Sequence, residues 1–151
     1  MIFITLAGFK TPPALFTLIS KPKKMDKTPR VLLTQEAENL IDRLRDEHGP
    51  LMFHQSGGCC DGSAPMCFPI GEFKTGVNDV LLGSIHGCEF FMSSFQFEYW
   101  QYTQLTLDVV PGRGASFSLE IPLGLRFIIR SQVYTEEELQ NLTPVFNGEV
   151  L

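Results

Sequence analysis

No apolar run in the first 30 residues is long enough to cross a bilayer as a helix, which takes about 20 residues. Ile2 to Phe9 falls far short. That stretch also lacks the charged start and small-residue cleavage site of a secretory signal, and the segment is too poor in arginine for a mitochondrial presequence. Cations are scarce from position 31 onward, where six Lys and Arg stand against sixteen Asp and Glu. A body of that sign lacks the clustered cations that a phosphate backbone requires, so nucleic acid is not an expected partner, and neither is a membrane. Histidine is rare, three in the whole chain, and no H-x-H pair occurs. A standard cupin metal centre needs two histidines near each other on one strand and a third later, so it is not expected, and a cupin-like barrel without that centre is left open. Four cysteines are too few for a disulfide scaffold in 151 residues, and two of them are neighbours. Reduced thiols and a cytoplasmic location are the expectation. No internal repeat appears.

What is present describes one ordinary domain. Hydrophobic residues make up 44% and charged residues 19%, enough apolar volume for a core and too little charge for a disordered chain. Thirteen Phe against three Tyr and one Trp put much of that volume into rings without a polar handle. Residues 1–30 differ from the rest. They hold Lys10, Lys21, Lys23, Lys24, Lys27 and Arg30, and Pro12, Pro13, Pro22 and Pro29 break any regular element. They read as a flexible extension or a mis-assigned start, with Met25 as a candidate true start and a targeting role left open. Residues 31–144 form the single globular domain, and 145–151 a tail.

Thr34 opens a helix in which Ala37, Leu40, Ile41 and Leu44 keep the spacing of one buried stripe. His48 followed by Gly49-Pro50 ends it, as a cation near a helix C-terminus. LMFHQ (51–55) reads as a strand with Met52 and His54 on one face, and MCFPI (66–70) as a second, confined to an edge or bulge by Pro69. DVLLGSI and EFFMS form a hairpin about His86-Gly87-Cys88. FQFEYWQY reads as a short amphipathic turn capped by Ser94 that buries Phe95, Tyr99 and Trp100. QLTLDVV alternates as a half-buried strand, and SFSLEI pairs with LRFIIRSQVY across Pro122-Leu123-Gly124. Thr135 and Glu138 make a capping box for a last helix whose Leu139 and Leu142 face the core. The expected class is α+β: mainly antiparallel sheet, its closure into a barrel or a sandwich left open, with one helix before and one after.

The chemistry concentrates in HQSGGCCDGS, residues 54–63. Gly57, Gly58 and Gly62 permit close backbone approach, and successive N–H groups there can form an anion nest or cofactor cradle. Cys59 and Cys60 supply thiolates, which are both nucleophiles and soft-metal ligands. His54 and Cys67 flank the loop and can converge on it if it folds back, so His54, Cys59, Cys60 and Cys67 form a candidate set for zinc, iron or copper. Their spacing matches no standard zinc knuckle. A catalytic reading takes Cys59 or Cys60 as nucleophile, His54 as base and Asp61 as the group that orients the ring. A strained vicinal disulfide and plain packing of small apolar side chains are the other readings. His86 and Cys88 form a conceivable second metal pair, but an exposed turn is the simpler reading.

PLMFHQSGGCCDGSAPMCFPIGEF, DVLLGSI, FQFEYWQYTQLTLDVVPGRGASFSLE and RFIIRS together resemble the uncharacterised family called domain of unknown function 779, from about Leu32 to Leu142. The resemblance implies no established activity. It implies a small soluble protein often encoded beside an NAD-dependent aldehyde dehydrogenase, hence an accessory role in aldehyde metabolism with that enzyme or a small molecule as partner. The alternative is a small thiol- or metal-dependent enzyme acting on an aldehyde or its thiol conjugate. His54, Gly57, Gly58, Cys59, Cys60, Asp61, Gly62 and Cys67 match the family's most distinctive motif. Tyr102 stands where a histidine would often follow the Phe-Glu-Tyr-Trp stretch.

Overall fold

A computed structural model describes residues 27–57, 62–114 and 117–147. The expected first segment, 1–30, is therefore described only from residue 27. There Thr28 bridges to Leu142, and the Arg30 carbonyl accepts from Leu105 N. Strand β1 (Val31–Leu33) leads into helix α1 (Gln35–His48), where the Thr34 side chain accepts from Ala37 N as N-cap. Ala37, Leu40, Ile41 and Leu44 are buried along one stripe, as their spacing predicts, and Gly49 closes the helix with a positive φ of 83°.

Strands β2 (Leu51–Gln55), β3 (Met66–Pro69), β4 (Asp79–Ile85) and β5 (Cys88–Ser93) follow, then helix α2 (Ser94–Trp100), strand β6 (Thr103–Pro111), a 3-10 turn (Ile121–Leu123), strand β7 (Leu125–Val133), helix α3 (Glu136–Leu139) and strand β8 (Phe146–Asn147). The strands form two sheets, β1-β6-β7 and β3-β2-β5-β4-β8. Four pairings are antiparallel, while β1–β6 and β2–β5 are parallel. The class is α+β, and the described strands close no barrel. Strand β8 lies beyond the domain boundary expected at residue 144.

The two sheets meet through one apolar core. Phe53 of β2 stacks on Phe90 at 6.0 Å and meets the edge of Phe127, on the other sheet, at 5.0 Å. Leu105, Leu107, Phe127 and Ile129 face it from β6 and β7, with the α1 stripe completing the cluster. Edge-to-face rings of this kind add to the value of the buried area itself.

Three sequence expectations are corrected. SFSLEI forms no strand among its described residues: 117–120 turn, and β7 pairs with β6 instead. The cause is Glu120, whose carboxylate is fully buried, shares a hydrogen bond with Ser118 and accepts one from Phe127 N at 3.1 Å. Gly114 is required beside it, because a Cβ there would lie 2.6 Å from Glu120 Oε2. In α2 the cap is Ser93 rather than Ser94, and the helix buries Gln96 and Trp100 while Phe95 and Tyr99 pack on each other in solvent. The capping box of α3 forms on Thr135 and Glu138, but Leu139 is exposed.

Candidate functional site

Strand alternation sends His54 and Phe53 to opposite sides of the five-stranded sheet. His54 lies opposite Met66 on β3 and Phe91 on β5, on the face turned away from the core. It is nevertheless only 3% exposed. The turn between β3 and β4 folds over it: Phe73 packs on the imidazole at 4.5 Å and stacks on Phe68 at 5.0 Å.

Both ring nitrogens are engaged. Nε2 lies 2.8 Å from Asp79 Oδ1, and Nδ1 lies 2.7 Å from the hydroxyl of Ser56, which is exposed. A carboxylate can only accept, so Nε2 carries the proton and donates to Asp79. In the neutral ring Nδ1 then bears the lone pair and accepts from Ser56, on the side where the Gly/Cys loop begins. Asp79 is itself held, since its Oδ2 accepts from Gly76 N at 3.0 Å. A histidine fixed in one tautomer by a carboxylate is the arrangement seen behind metal ligands and behind catalytic bases.

The loop is anchored at both ends. Gln55 is buried, and its Nε2 donates to the Gly57 carbonyl. Gly62 has a positive φ of 91°, its N–H donates to Ile129 O at 2.6 Å, and Ser63 O accepts from Ile129 N at 2.8 Å. Residues 62–63 thus extend along the free edge of β7, so the two described ends of the loop are held by different sheets. Gly58, Cys59, Cys60 and Asp61 lie outside the described residues.

Cys67 does not join His54. It pairs with Phe53 in register and is fully buried in the core on the opposite face. Burial pushes its thiol far above the ordinary range, with Glu120 and Cys88 adding to the rise. A thiol held protonated in this way is a poor nucleophile. Cys88 is buried too, 3.3 Å from an Arg45 guanidinium nitrogen, and burial also raises its pKa despite that contact. His86 points the other way, to Asp42 at 2.7 Å. No group of three or more His, Cys, Asp or Glu side chains suited to a metal ion occurs among the described residues.

Asp79, Ser56 and Phe73 were not legible as site residues. Asp79 is 25 positions from His54 and sits at the start of an ordinary-looking strand. Only the β2–β5–β4 strand order brings the two together. Ser56 had a local signal, since residues i and i+2 of an extended segment share a face.

These features define a small two-sheet α+β protein with a carboxylate-fixed histidine at the root of a glycine- and cysteine-bearing loop. The family model described as domain of unknown function (DUF779) matches residues 40–133, and the chain belongs to that family. No curated protein and no solved structure matches it.

Proposed function

We propose that the protein is a binding or accessory module whose loop takes up a transition metal ion, with His54 Nδ1 and the thiolates of Cys59 and Cys60 as ligands. The observation that carries this reading is the Asp79–His54 hydrogen bond, which leaves Nδ1 free to accept, on the side of Ser56, the residue that leads into the loop. Zinc, iron or copper would each accept one imidazole and two thiolates. Metal binding would displace the Ser56 hydroxyl from Nδ1. Cys67, on the other face, is left out of the set. The family resemblance extends the proposal to aldehyde metabolism, with an aldehyde dehydrogenase as partner; co-purification tests that part.

Elemental analysis of untagged protein prepared without chelator is the direct test. Stoichiometric metal, lost in Cys59→Ser/Cys60→Ser with the fold intact and reduced in His54→Ala, supports the proposal. Absence of metal even after reconstitution under reducing conditions overturns it.

A second reading rests on the continuous series Ser56–His54–Asp79, in which His54 is a base able to take a proton from a neighbouring thiol. Cys59 or Cys60 would then add to an aldehyde carbonyl, giving a thiohemiacetal as the proton passes to the new oxygen. Intact-mass detection of that adduct, lost in His54→Ala in metal-free protein, separates this reading from the first.

A further inference from the structure

Helix α1 covers only part of the inner face of the β6–β7 pair. Val109 and Pro111 continue that face past the helix, with Phe127 and Leu125 as their cross-strand partners. The uncovered end forms a cavity of about 430 Å³ between α1 and the strands. Leu40, Val109, Pro111 and Leu125 give it an apolar floor. Its volume falls in the range of small-molecule sites, about 300–1,000 Å³.

Two charged side chains of α1, Glu36 and Arg43, line the cavity. They are seven residues apart and so about 10 Å along the helix axis. Neither takes part in an ion pair among the described residues. An unpaired guanidinium beside an apolar floor attracts an anionic head group carrying a hydrocarbon tail. A carboxylate at the far end repels a second negative charge.

We propose that this cavity binds an aliphatic monocarboxylate, with the head group on Arg43 and the tail over Val109, Pro111 and Leu125. None of the lining residues belongs to the loop, so the proposal does not rest on the loop's chemistry. Glu36 sets selectivity against dicarboxylates of the same length.

Octanoate is the probe, titrated into the full chain while amide resonances are followed by NMR. Saturable shifts confined to residues 36–43, 109–111 and 125 are expected. Arg43→Gln should weaken binding roughly tenfold, the worth of one charge-assisted hydrogen bond. Arg43 is exposed, so that variant folds. Octanol and suberate should both bind more weakly than octanoate. Absence of saturable shifts there overturns the proposal, as does octanol binding equal to octanoate with no effect of Arg43→Gln. Suberate binding as tightly as octanoate removes the role of Glu36.

Discussion

Strand β2 separates two buried faces that accessibility alone cannot tell apart. Phe53 is 0% exposed and its neighbour His54 is 3% exposed. The Phe53 side is dry: rings, aliphatic chains and a Cys67 thiol held protonated by burial. The His54 side is covered by one turn and holds a histidine with a partner on each nitrogen. Buried surface stabilises in proportion to apolar area removed from water, whereas a buried polar group holds its place only through its partners. One face therefore has the makings of the core, and the other of a site.

The sharpest way to break this comparison is to empty each face in turn. Phe53→Ala removes the ring that touches both Phe90 and Phe127, and should cost about 3–5 kcal/mol in urea unfolding. His54→Ala removes less apolar contact and leaves Asp79 Oδ1 without its donor, so about 1–3 kcal/mol is expected. Equal costs would mean that the outer face is as structural as the inner one.

A paired exchange sharpens the same contrast. Asp79→Asn keeps the shape but loses the charge that fixes the His54 tautomer, and should weaken metal uptake by the loop about 10–100-fold with a smaller change in unfolding. Cys67→Ser should do the reverse. A hydroxyl placed among Phe53 and its neighbours costs about 1–3 kcal/mol, and metal content should stay unchanged. Metal lost in Cys67→Ser while the fold persists would return Cys67 to the ligand set and contradict the opposite-face geometry.

The inner face also carries a buried carboxyl, that of Glu120. Burial raises the pKa of Glu120 above its usual value, although the Ser118 and Phe127 hydrogen bonds oppose the rise. The folded protein therefore binds this proton more tightly than the unfolded chain. Glu120 contributes most to stability below the unfolded carboxyl value of about 4.5, and the contribution falls as pH rises through the higher folded value. Glu120→Gln keeps a neutral group of the same shape in place and should remove that fall. Denaturation midpoints from pH 4 to pH 8 should therefore decline less steeply in the variant than in the parent, and equal slopes would contradict a carboxyl held protonated by burial.

Much of this architecture was legible because it rests on local rules. The α1 stripe with its Thr34 cap, the Met52/His54 alternation, Pro69 on an edge strand and the Thr135–Glu138 box all follow from spacing within a few residues. The failures at SFSLEI and at the candidate site share one cause, which is partner choice at long range. SFSLEI alternates like a strand, yet a buried Glu120 bound by Ser118 and Phe127 turns the chain there, and β7 takes β6 as its partner. The candidate site divides in the same way. His54 was visible beside its glycines, but Asp79 becomes its partner only through the sheet order, and Cys67 is separated from it by alternation between faces. The final helix starts where its capping box predicts but ends at Leu139, so Leu142 lies outside it, and Leu139 was assigned to the wrong side because one turn of helix carries too few positions to define a stripe.

The smallest expected effect tests the same lesson in α2. Its aromatic content suggests that Phe95, Tyr99 and Trp100 all go inward, but they differ by position rather than type. Trp100 is 6% exposed within the core cluster, whereas Phe95 is 65% exposed and touches Tyr99 one helical turn away. Phe95→Ser should change stability by no more than about 0.5 kcal/mol, the range of ordinary surface substitutions. Trp100→Ala should cost about 3–5 kcal/mol. The Phe95–Tyr99 contact adds only a few tenths of a kcal/mol, as exposed pairs one turn apart do, so it cannot raise Phe95 to the rank of Trp100. A cost of several kcal/mol at Phe95 would therefore require a surface that covers it in solution, which size-exclusion chromatography of parent and variant would reveal as a difference in oligomeric state.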